Sequence, residues 1–546
     1  LFYFCALSTK LKRSIMLWFY LMIIIFILGY TAIALEHPLK IDKAASALLI
    51  GVLTWVAFIV GGEEVIHAFE GFYGAAHESW HAFMASHGVH GEEGTKHAMQ
   101  LFIGKHELLH HLGEIAEILF FLLGAMTIVE IIDQHEGFKI ITDKIKTVKK
   151  VKLLWIISVL TFFMSAALDN LTTTIVMVAL LRKLIDAKSD RWFFASMVIL
   201  AANAGGAWSP IGDVTTIMLW VKGNVTTLPI IVDVFLPSLV TMLAPLAILS
   251  FTMKGEVQRP DLSAGHEEEE GHVSKRTSGL ILALGVGSLL FVPVFKTVTH
   301  LPPYMGMLLG LGFLWLITEI LHKRRHKETS TKLTVVGILT RVDVPTVLFF
   351  LGILLAVASL QSAGHLTLLA GWLDTVTHEN IYVINIAIGF LSSIVDNVPL
   401  VAGAMGMYDI NPDIVAHLST AHLATLHTLS PDVILANVNA DMLPGFTQEM
   451  VSMVQQLSIP QYHHILNILP QDLHAAKYFM VDGQFWQFLA YCAGTGGSIL
   501  IIGSAAGVAA MGMEKIDFIW YMKKISLLAI VGYLAGAATY YLMFAL

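Results

Sequence analysis

The sequence is poor in charge and in cysteine. Only 14% of its 546 residues are charged, whereas soluble domains usually carry about 25%. Hydrophobic residues make up 56% of the chain, and the mean hydropathy is +0.71. The two cysteines, Cys5 and Cys492, lie in apolar settings and exclude a disulfide scaffold. A net charge of −8 gives no indication of a nucleic-acid partner. This composition excludes an ordinary soluble enzyme and predicts a polytopic membrane protein.

Motifs for nucleotide-driven or hydrolytic chemistry are also missing. The sequence has no Walker A loop, no G-x-S-x-G turn and no C-x-x-C pair. It therefore predicts neither an ATP-driven pump nor an enzyme, and we expect no cofactor.

Ten apolar segments are long enough to cross a bilayer, which takes roughly 17–25 residues for a helix. They are residues 17–35, 44–60, 114–132, 192–220, 228–253, 278–298, 304–321, 343–361, 484–511 and 525–545.

Two further apolar segments, 153–181 and 381–407, each carry an Asp-Asn pair near the middle: Asp169-Asn170 and Asp396-Asn397. A carboxylate at the membrane midplane costs about 2.5–3.5 kcal/mol, so it needs a protein or water environment. A re-entrant hairpin of two half-helices, each roughly a dozen residues long, supplies one. Both segments are therefore predicted to be re-entrant hairpins.

Basic residues predict opposite orientations for the two hairpins. Lysines and arginines flank both ends of the first, so its mouth is expected in the cytoplasm. No basic residue occurs between 342 and 476, so the mouth of the second is expected outside.

The two halves of the chain also match in order: three spans, a hairpin, an interrupted span and a final span. A short surface helix is predicted before each hairpin, at 134–150 and 364–379. The interrupted spans repeat a glycine pattern, Gly205-Gly206 with Gly212 and Gly496-Gly497 with Gly503. The prediction is an all-α polytopic inverted repeat, in which each half has five transmembrane helices, one re-entrant hairpin and broken helices.

This organisation sets the predicted domain boundaries. The first repeat covers 1–253, a cytoplasmic linker 254–277 and the second repeat 278–546. A histidine-rich external loop (61–113) and an external insertion (408–482) lie outside the repeat, and we expect neither to form the ion path. His77 with His81, and His106 with His110, have a spacing that could place two imidazoles on one helix face. A solvated loop is the simpler interpretation.

Oxygen-bearing side chains gather at the two tips and in the interrupted spans. Such ligands suit hard cations, and a carboxylate that holds either Na⁺ or H⁺ is sufficient for exchange. The alternative is that each aspartate only caps a half-helix. The candidate cation and proton ligands are Asp169, Asn170, Thr173, Asn203, Asp213, Thr215, Thr216, Ser393, Asp396, Asn397 and Ser498, with Na⁺ expected at Asp169 and Asp396.

Glu114 and Glu117 lie one turn apart at the start of the third span. They are candidates for a proton path, although interfacial carboxylates satisfied by water are the alternative interpretation.

At these motifs the chain resembles the NhaD-type Na⁺/H⁺ antiporters of the ion transporter superfamily. The stretches that carry the resemblance are GEIAEILFFLLGAMTIVEIID (113–133), SAALDNLTTTIVMVALL (165–181), ILAANAGGAWSPIGDVTT (199–216), SSIVDNVPLVAGAMGMY (392–408) and FLAYCAGTGGSILIIGSAAGVAAMG (488–512).

The resemblance implies a cation site at the two Asp-Asn tips, with Asn203, Asp213, Thr215 and Thr216 nearby. It also implies a homodimer in which a hairpin-bearing transport domain moves against a scaffold. The expected activity is exchange of Na⁺, and also Li⁺, for H⁺, and the expected location is the cell (inner) membrane.

Two alternatives remain open. Related dicarboxylate transporters share the fold but place Ser-Asn-Thr at their tips, where this chain has Asp-Asn-Leu and Asp-Asn-Val. A fixed negative charge there would repel an anionic substrate. A channel or a non-transporting sensor is the other alternative, but three intramembrane aspartates and two hairpins favour a transporter.

Overall fold

The protein is all-helical over the part that the structure describes. The computed structural model describes residues 17–34, 36–67, 80, 83–84, 92–142, 144–260, 274–322, 334–429, 435, 438–466, 468, 470 and 472–545. Within these residues β-pairing is confined to two isolated bridges. Eight of the described helices are long and apolar enough to cross a membrane. The prediction of an all-α polytopic membrane protein is confirmed.

The helices of the first half begin near the N-terminus and end before the linker. They are α1 (Leu17–Ala34), α2 (Glu36–Leu39), α3 (Lys43–His67), α4 (Glu92–Leu101), α5 (Leu108–Gln134), α6 (Lys139–Thr142), α7 (Lys150–Leu168), α8 (Asn170–Leu184), α9 (Lys188–Ala207), α10 (Val214–Lys222) and α11 (Thr227–Thr252).

The second half repeats this order with additional short helices. They are α12 (Lys275–Thr299), α13 (Pro303–His322), α14 (Val335–Leu339), α15 (Val344–Ser362), α16 (His365–Thr377), α17 (Ile381–Ser392), α18 (Asn397–Met407), α19 (Thr420–Leu426), α20 (Gln448–Gln456), α21 (Ile459–Leu466), α22 (Leu473–Ala476), α23 (Gln484–Gly496), α24 (Ala505–Glu514), α25 (Phe518–Lys524) and α26 (Ser526–Phe544).

Both predicted hairpin segments are helix pairs interrupted at the Asp-Asn motif. α7 ends and α8 begins at Asp169, and α17 and α18 are separated by residues 393–396. The arms of the second pair have 12 and 11 residues, close to the expected half-helices. α7 has 19 residues and is longer than the expected half-helix; it is one of the eight helices long enough to cross a membrane. It begins at Lys150, which pairs with Asp190 at 2.8 Å.

The two halves make the same contact at corresponding positions. Ser165 and Ser392 each lie five residues before the asparagine of an Asp-Asn pair. Ser165 donates a hydrogen bond to the carbonyl oxygen of Ala202 at 2.6 Å, and Ser392 donates one to that of Ala493 at 2.9 Å. Ala202 and Ala493 each lie three residues before a double glycine.

The first glycine of each double glycine packs directly against the backbone of a neighbouring helix. A Cβ on Gly205 would lie 2.1 Å from the carbonyl oxygen of Phe162, and one on Gly496 would lie 2.1 Å from that of Gly389. Two helix backbones therefore approach at a distance that excludes any side chain. The double glycines fix how the interrupted helices pack against the helix pairs.

The helices pack in two groups. The long-helix group contains α1, α3, α5, α12, α13 and α15. The site group contains α7 to α11, α17, α18, α23, α24 and α26. Every residue of α9 from Phe194 to Ala207 and of α23 from Phe485 to Gly496 is buried, which places these interrupted helices at the centre of the site group.

The predicted surface helix at 134–150 is wrong, whereas the one at 364–379 is present as α16. Among the described residues between α5 and α7 only α6 is helical, because the chain before α7 pairs with the start of the linker. Val257 donates its backbone N–H to the carbonyl of Val148 at 2.8 Å, and Lys150 donates to Gly255 at 3.1 Å. An extended segment that pairs with another chain segment cannot form helical hydrogen bonds.

The histidine-rich segment is not a loop throughout. The chain is helical from Glu92, passes through a π-helical turn at Phe102–Glu107 and continues as α5. The apolar span therefore begins at His97, earlier than the predicted residue 114. His77, His81 and linker residues 261–273 lie outside the described residues.

The inserted segment packs around a hydrophobic cluster of its own. Its members are Ile414, Val415, Leu418, Leu423, Leu426, Leu429, Leu435, Val438, Leu443, Met450, Val451, Val454, Tyr462, Ile465, Leu473 and Ala476. The ends of the segment meet where Asn411 donates its backbone N–H to Phe479 at 3.0 Å. The insertion is thus a small helical unit with a narrow connection to the membrane helices.

Candidate cation site

The four helices that begin at the two tips and after the two double glycines, α8, α18, α10 and α24, are each capped by a polar side chain. A capping side chain accepts a hydrogen bond from the backbone N–H of its own first turn. The bonds run from Thr172 to Asp169 at 2.8 Å, from Thr215 to Asp213 at 3.3 Å, from Val398 to Asp396 at 3.2 Å and from Gly507 to Ser504 at 3.1 Å. The capping role that was the alternative for the aspartates is therefore present. The further contacts of each carboxylate decide what else it can do.

Asp169 has an unusual backbone conformation at the tip of the α7–α8 pair. Its φ of 79° and ψ of 157° fall in a region that glycine occupies almost exclusively. Its carboxylate accepts hydrogen bonds from the backbone N–H and the hydroxyl of Thr172, both at 2.8 Å. A strained conformation held by two local bonds is typical of a functional position rather than of an ordinary helix break.

Asn203 connects the first tip to the second half. Asn170 donates to Asn203 Oδ1 at 3.0 Å. The Asn203 amide then donates to the hydroxyls of Ser498 at 2.8 Å and Ser504 at 2.9 Å. All four side chains are buried. One asparagine of α9 thus joins the start of α8 to both ends of the interruption between α23 and α24.

Asn397 makes the converse connection, from the second tip to the first half. Its amide donates to Asp213 Oδ2 at 3.3 Å, while Asp213 Oδ1 accepts from the backbone of Thr215. Asp213 is only 1% exposed. Within the described residues no lysine, arginine or histidine nitrogen lies within 4.0 Å of its carboxylate. Burial of an uncompensated carboxylate is costly, so this group calls for a proton or a cation.

Asp396 differs from the other two aspartates because a lysine lies beside it. Lys43 Nζ is 3.6 Å from Asp396 Oδ2. Asp396 and Ser504 line the same small cavity of about 60 Å³. Ala505, the next residue, lines another of about 50 Å³ together with Asp169. The start of α24 therefore lies between the two tips.

The remaining predicted ligands fall into two sets. Thr173, Thr215 and Thr216 are buried, and Thr216 donates to the carbonyl of Ala207 at 3.3 Å. The Thr173 hydroxyl has no hydrogen-bond partner among the described residues and is therefore free to ligate. The Ser393 hydroxyl donates to the carbonyl of Phe390 in its own helix pair at 2.7 Å. It is not among the side chains bonded to Asn203, which are Asn170, Ser498 and Ser504.

The residues present form an oxygen donor set that fits Na⁺. Carboxylate, amide and hydroxyl oxygens are ligands for hard cations. Among the described residues no three His, Cys, Asp or Glu side chains come together as a transition-metal site requires. The donors available to a cation in this region are therefore carboxylate, amide and hydroxyl oxygens.

Glu114 lies apart from the three aspartates and Asn203. It lines a cavity of about 460 Å³, larger than the two at the tips. It is ion-paired with Lys222 and lies 3.4 Å from His111 Nδ1. Gln461 and His464 of the insertion line the same cavity, whereas Glu117 does not. The insertion thus contributes side chains to a cavity at this end of α5.

Three residues that contact the candidate site residues were not among the candidates from sequence: Ser504, Lys43 and Lys222. Ser504 could have been found, because it occupies the position after the second double glycine that Asp213 occupies after the first. Lys43 and Lys222 gave no signal, since their acidic partners, Asp396 and Glu114, are distant in the chain.

Comparisons with known proteins cover most of the chain. A family model described as CitMHS, citrate transporter, matches residues 20–428. Sodium/proton antiporter 1 of Arabidopsis thaliana is 41% identical over 95% of this chain and 71% of its own length. Sodium/proton antiporter 2 of the same plant is 39% identical over 95% and 98%.

A bacterial relative is more distant. The Na(+)/H(+) antiporter NhaD of Vibrio cholerae is 27% identical over 92% of this chain and 87% of its own length. These relatives are named as transporters, not as enzymes. The chain therefore belongs to the NhaD-type sodium/proton antiporter family.

Proposed function

We propose that this protein exchanges Na⁺, and also Li⁺, for H⁺ across a membrane, with the aspartates Asp169, Asp213 and Asp396 as the shared binding groups. The observation that carries the proposal is a group of three aspartates at the starts of α8, α10 and α18. One of them, Asp213, is 1% exposed with no described cationic side chain within 4.0 Å. Its negative charge must be neutralised by something that is not a fixed part of the site. A proton and a small cation are the two species that can do so reversibly.

Exchange then follows from competition at one carboxylate. A protonated aspartate cannot also act as an anionic ligand, so Na⁺ binding releases a proton and protonation releases Na⁺. Asn170, Thr173, Asn203 and Ser498 supply neutral oxygens that complete the coordination without adding charge. The site thereby favours a monovalent cation over a divalent one, because few carboxylates face it.

We further propose that the two helix pairs are re-entrant hairpins in an inverted repeat, the first opening to the cytoplasm and the second to the outside. The repeated Ser165 and Ser392 bonds and the matching Gly205 and Gly496 contacts support this arrangement. Alternating access would expose the site first to one side and then to the other. The division of the helices into two groups supports a transport domain that moves against a scaffold. A homodimer and a location in the cell (inner) membrane are part of the proposal on the family resemblance alone.

A citrate-like anion is the second candidate substrate, since the matching family model carries that description. Four helix N-termini meet at the site, and such termini attract anions. Here three of them are already capped by the aspartates of the site, Asp169, Asp213 and Asp396. A carboxylate substrate would meet like charges in place of free N–H groups, so the geometry favours a cation.

Purified protein in proteoliposomes separates the two substrates. Proton flux would be followed with a pH-sensitive dye while Na⁺, Li⁺, K⁺ or citrate is added. The proposal predicts flux with Na⁺ and Li⁺ and none with K⁺ or with citrate as its tetramethylammonium salt. Flux that depends on citrate and not on Na⁺ would assign the protein to anion transport.

A further inference from the structure

Lys43 is placed where it can interact with one of the proposed cation-binding carboxylates. It is the first residue of α3, and its ammonium lies 3.6 Å from Asp396 Oδ2. The other carboxylate oxygen, Oδ1, accepts from the backbone N–H of Val398 at 3.2 Å. Both side chains are largely buried, with 24% of the Lys43 and 16% of the Asp396 side chain exposed. The Asp396 carboxylate therefore has a partner on each oxygen.

The long-helix group holds the lysine in this position. Its ammonium lies over the ring of Phe349 in α15, 4.4 Å from the centroid, a favourable cation–π contact. Of the described helix pairs, α3 and α15 pack against each other most extensively. A positive charge at a helix N-terminus is disfavoured by the helix dipole, so local helix electrostatics do not account for this placement. Its ion pair bridges the long-helix group and the tip of the second hairpin.

The other two aspartates have no such partner among the described residues. Both Asp169 oxygens bond to Thr172, and the Asp213 oxygens bond to Thr215 and Asn397. The tips are therefore unequal: the second carries a neutralising charge from the protein, and the first does not. A transported cation at Asp396 must compete with that charge.

We propose that Lys43 is a tethered competitor for Asp396, whose ammonium occupies the carboxylate between transport events and withdraws when the transported cation binds. The proposal rests on the function proposed above, in which Asp396 is a cation ligand. It makes Lys43 a positioning residue that sets the cation affinity of the second tip. Without it, Na⁺ would bind Asp396 more tightly and leave more slowly.

Glu36 offers the withdrawn ammonium a second partner. It lines the same cavity of about 60 Å³ as Lys43 and Asp396, and its Oε1 lies 3.4 Å from the backbone nitrogen of Lys43. The lysine side chain can therefore turn from one carboxylate towards the other within the cavity, without leaving for bulk solvent.

The test compares Lys43→Gln and Lys43→Met with Lys43→Arg and the wild type. Apparent Na⁺ affinity is measured at one fixed pH in two ways, from Na⁺-driven proton flux in proteoliposomes and from thermal stabilisation of the purified protein by Na⁺. The neutral variants should need about three- to tenfold less Na⁺ for the half-maximal effect, as loss of a partly buried ion pair implies. The arginine variant should resemble the wild type.

Lys40→Gln is the matched control, because Lys40 lies in the same short segment and is exposed. It should leave the Na⁺ affinity unchanged. The proposal is overturned if both neutral variants keep wild-type Na⁺ affinity, or if they need more Na⁺. Should one of them fail to fold, the other decides. Absence of Na⁺-driven flux in the wild type would contradict the proposed function instead, and the thermal titration would still decide the role of Lys43.

Discussion

The Asn397 amide lies 3.3 Å from Asp213 Oδ2, so the tip of the second helix pair is joined to the interrupted helix of the first half. Both residues are buried. The Asn397 amide donates a side-chain hydrogen bond to the Asp213 carboxylate. The candidate cation site is thereby shared between the two halves of the chain.

Asn397→Ala removes that donor and leaves the Asp213 carboxylate with only its backbone bond. Loss of a buried hydrogen bond to a charged group costs about 1.5–3 kcal/mol, so we expect the apparent Na⁺ affinity to fall by roughly tenfold or more. Asn439→Ala, an exposed asparagine in the insertion, is the control. An Asn397→Ala protein with wild-type Na⁺ affinity would show that this bond does not organise the site.

Gly205→Ala tests the close approach of α9 to α7. The new methyl would lie 2.1 Å from the Phe162 carbonyl oxygen, so the backbones must separate. We expect the melting temperature of the purified protein to drop by about 5 °C or more. Gly113→Ala is the matched control, because no atom lies within 4 Å of its added Cβ. Equal melting temperatures for the two variants would contradict the packing described here.

Much of the framework could be predicted from sequence, because it depends on local patterns. The apolar segments, the breaks at Asp169 and Asp396 and the glycine pattern are each visible within about 20 residues. The surface helix predicted at 134–150 was wrong, because the end of this segment pairs with a distant one, Val148 with Val257. Hydropathy carries no information on such pairing.

The site was predictable in its members but not in its connections. Asp213 and Asn397 were both candidates from sequence, yet nothing in the sequence joins them. Ser393 was also a candidate, and the bond that its hydroxyl donates to the Phe390 carbonyl could not be read from the sequence. Lys43 was not a candidate, because an ion pair between distant segments depends on how the helices pack.

The proposed orientation of the hairpins can be tested with single cysteines. Residues 149 and 188 lie at the mouth of the first pair, and residue 427 lies in the insertion after the second. In a protein without its native cysteines, the first two should react with a membrane-impermeant thiol reagent only from the cytoplasm, and the third only from outside. Labelling of all three from one side would exclude the inverted repeat.

Excision of residues 415–475 tests whether the insertion belongs to the ion path. It has its own hydrophobic cluster, and its ends are held together by the bond between Asn411 and Phe479. We therefore expect a short linker to leave a folded protein with reduced but measurable Na⁺-driven proton flux. Because Gln461 and His464 line the large cavity, the apparent Na⁺ affinity should change. A folded protein with no flux would place the insertion within the transport mechanism.

In the proposed mechanism Na⁺ and H⁺ compete for the aspartates of the site, with Asp169 and Asp396 at the tips as the exchanging groups. The most direct test is Na⁺-driven proton flux in proteoliposomes containing Asp169→Asn or Asp396→Asn, because asparagine keeps the size and the capping bond but cannot carry a charge. We predict that each replacement abolishes flux while the protein stays folded, that the glutamate variants keep part of it, and that Asp213→Asn weakens the apparent Na⁺ affinity. Exchange at wild-type rates by both asparagine variants would contradict competition at the tips, since Asp169 and Asp396 would then be helix caps and nothing more.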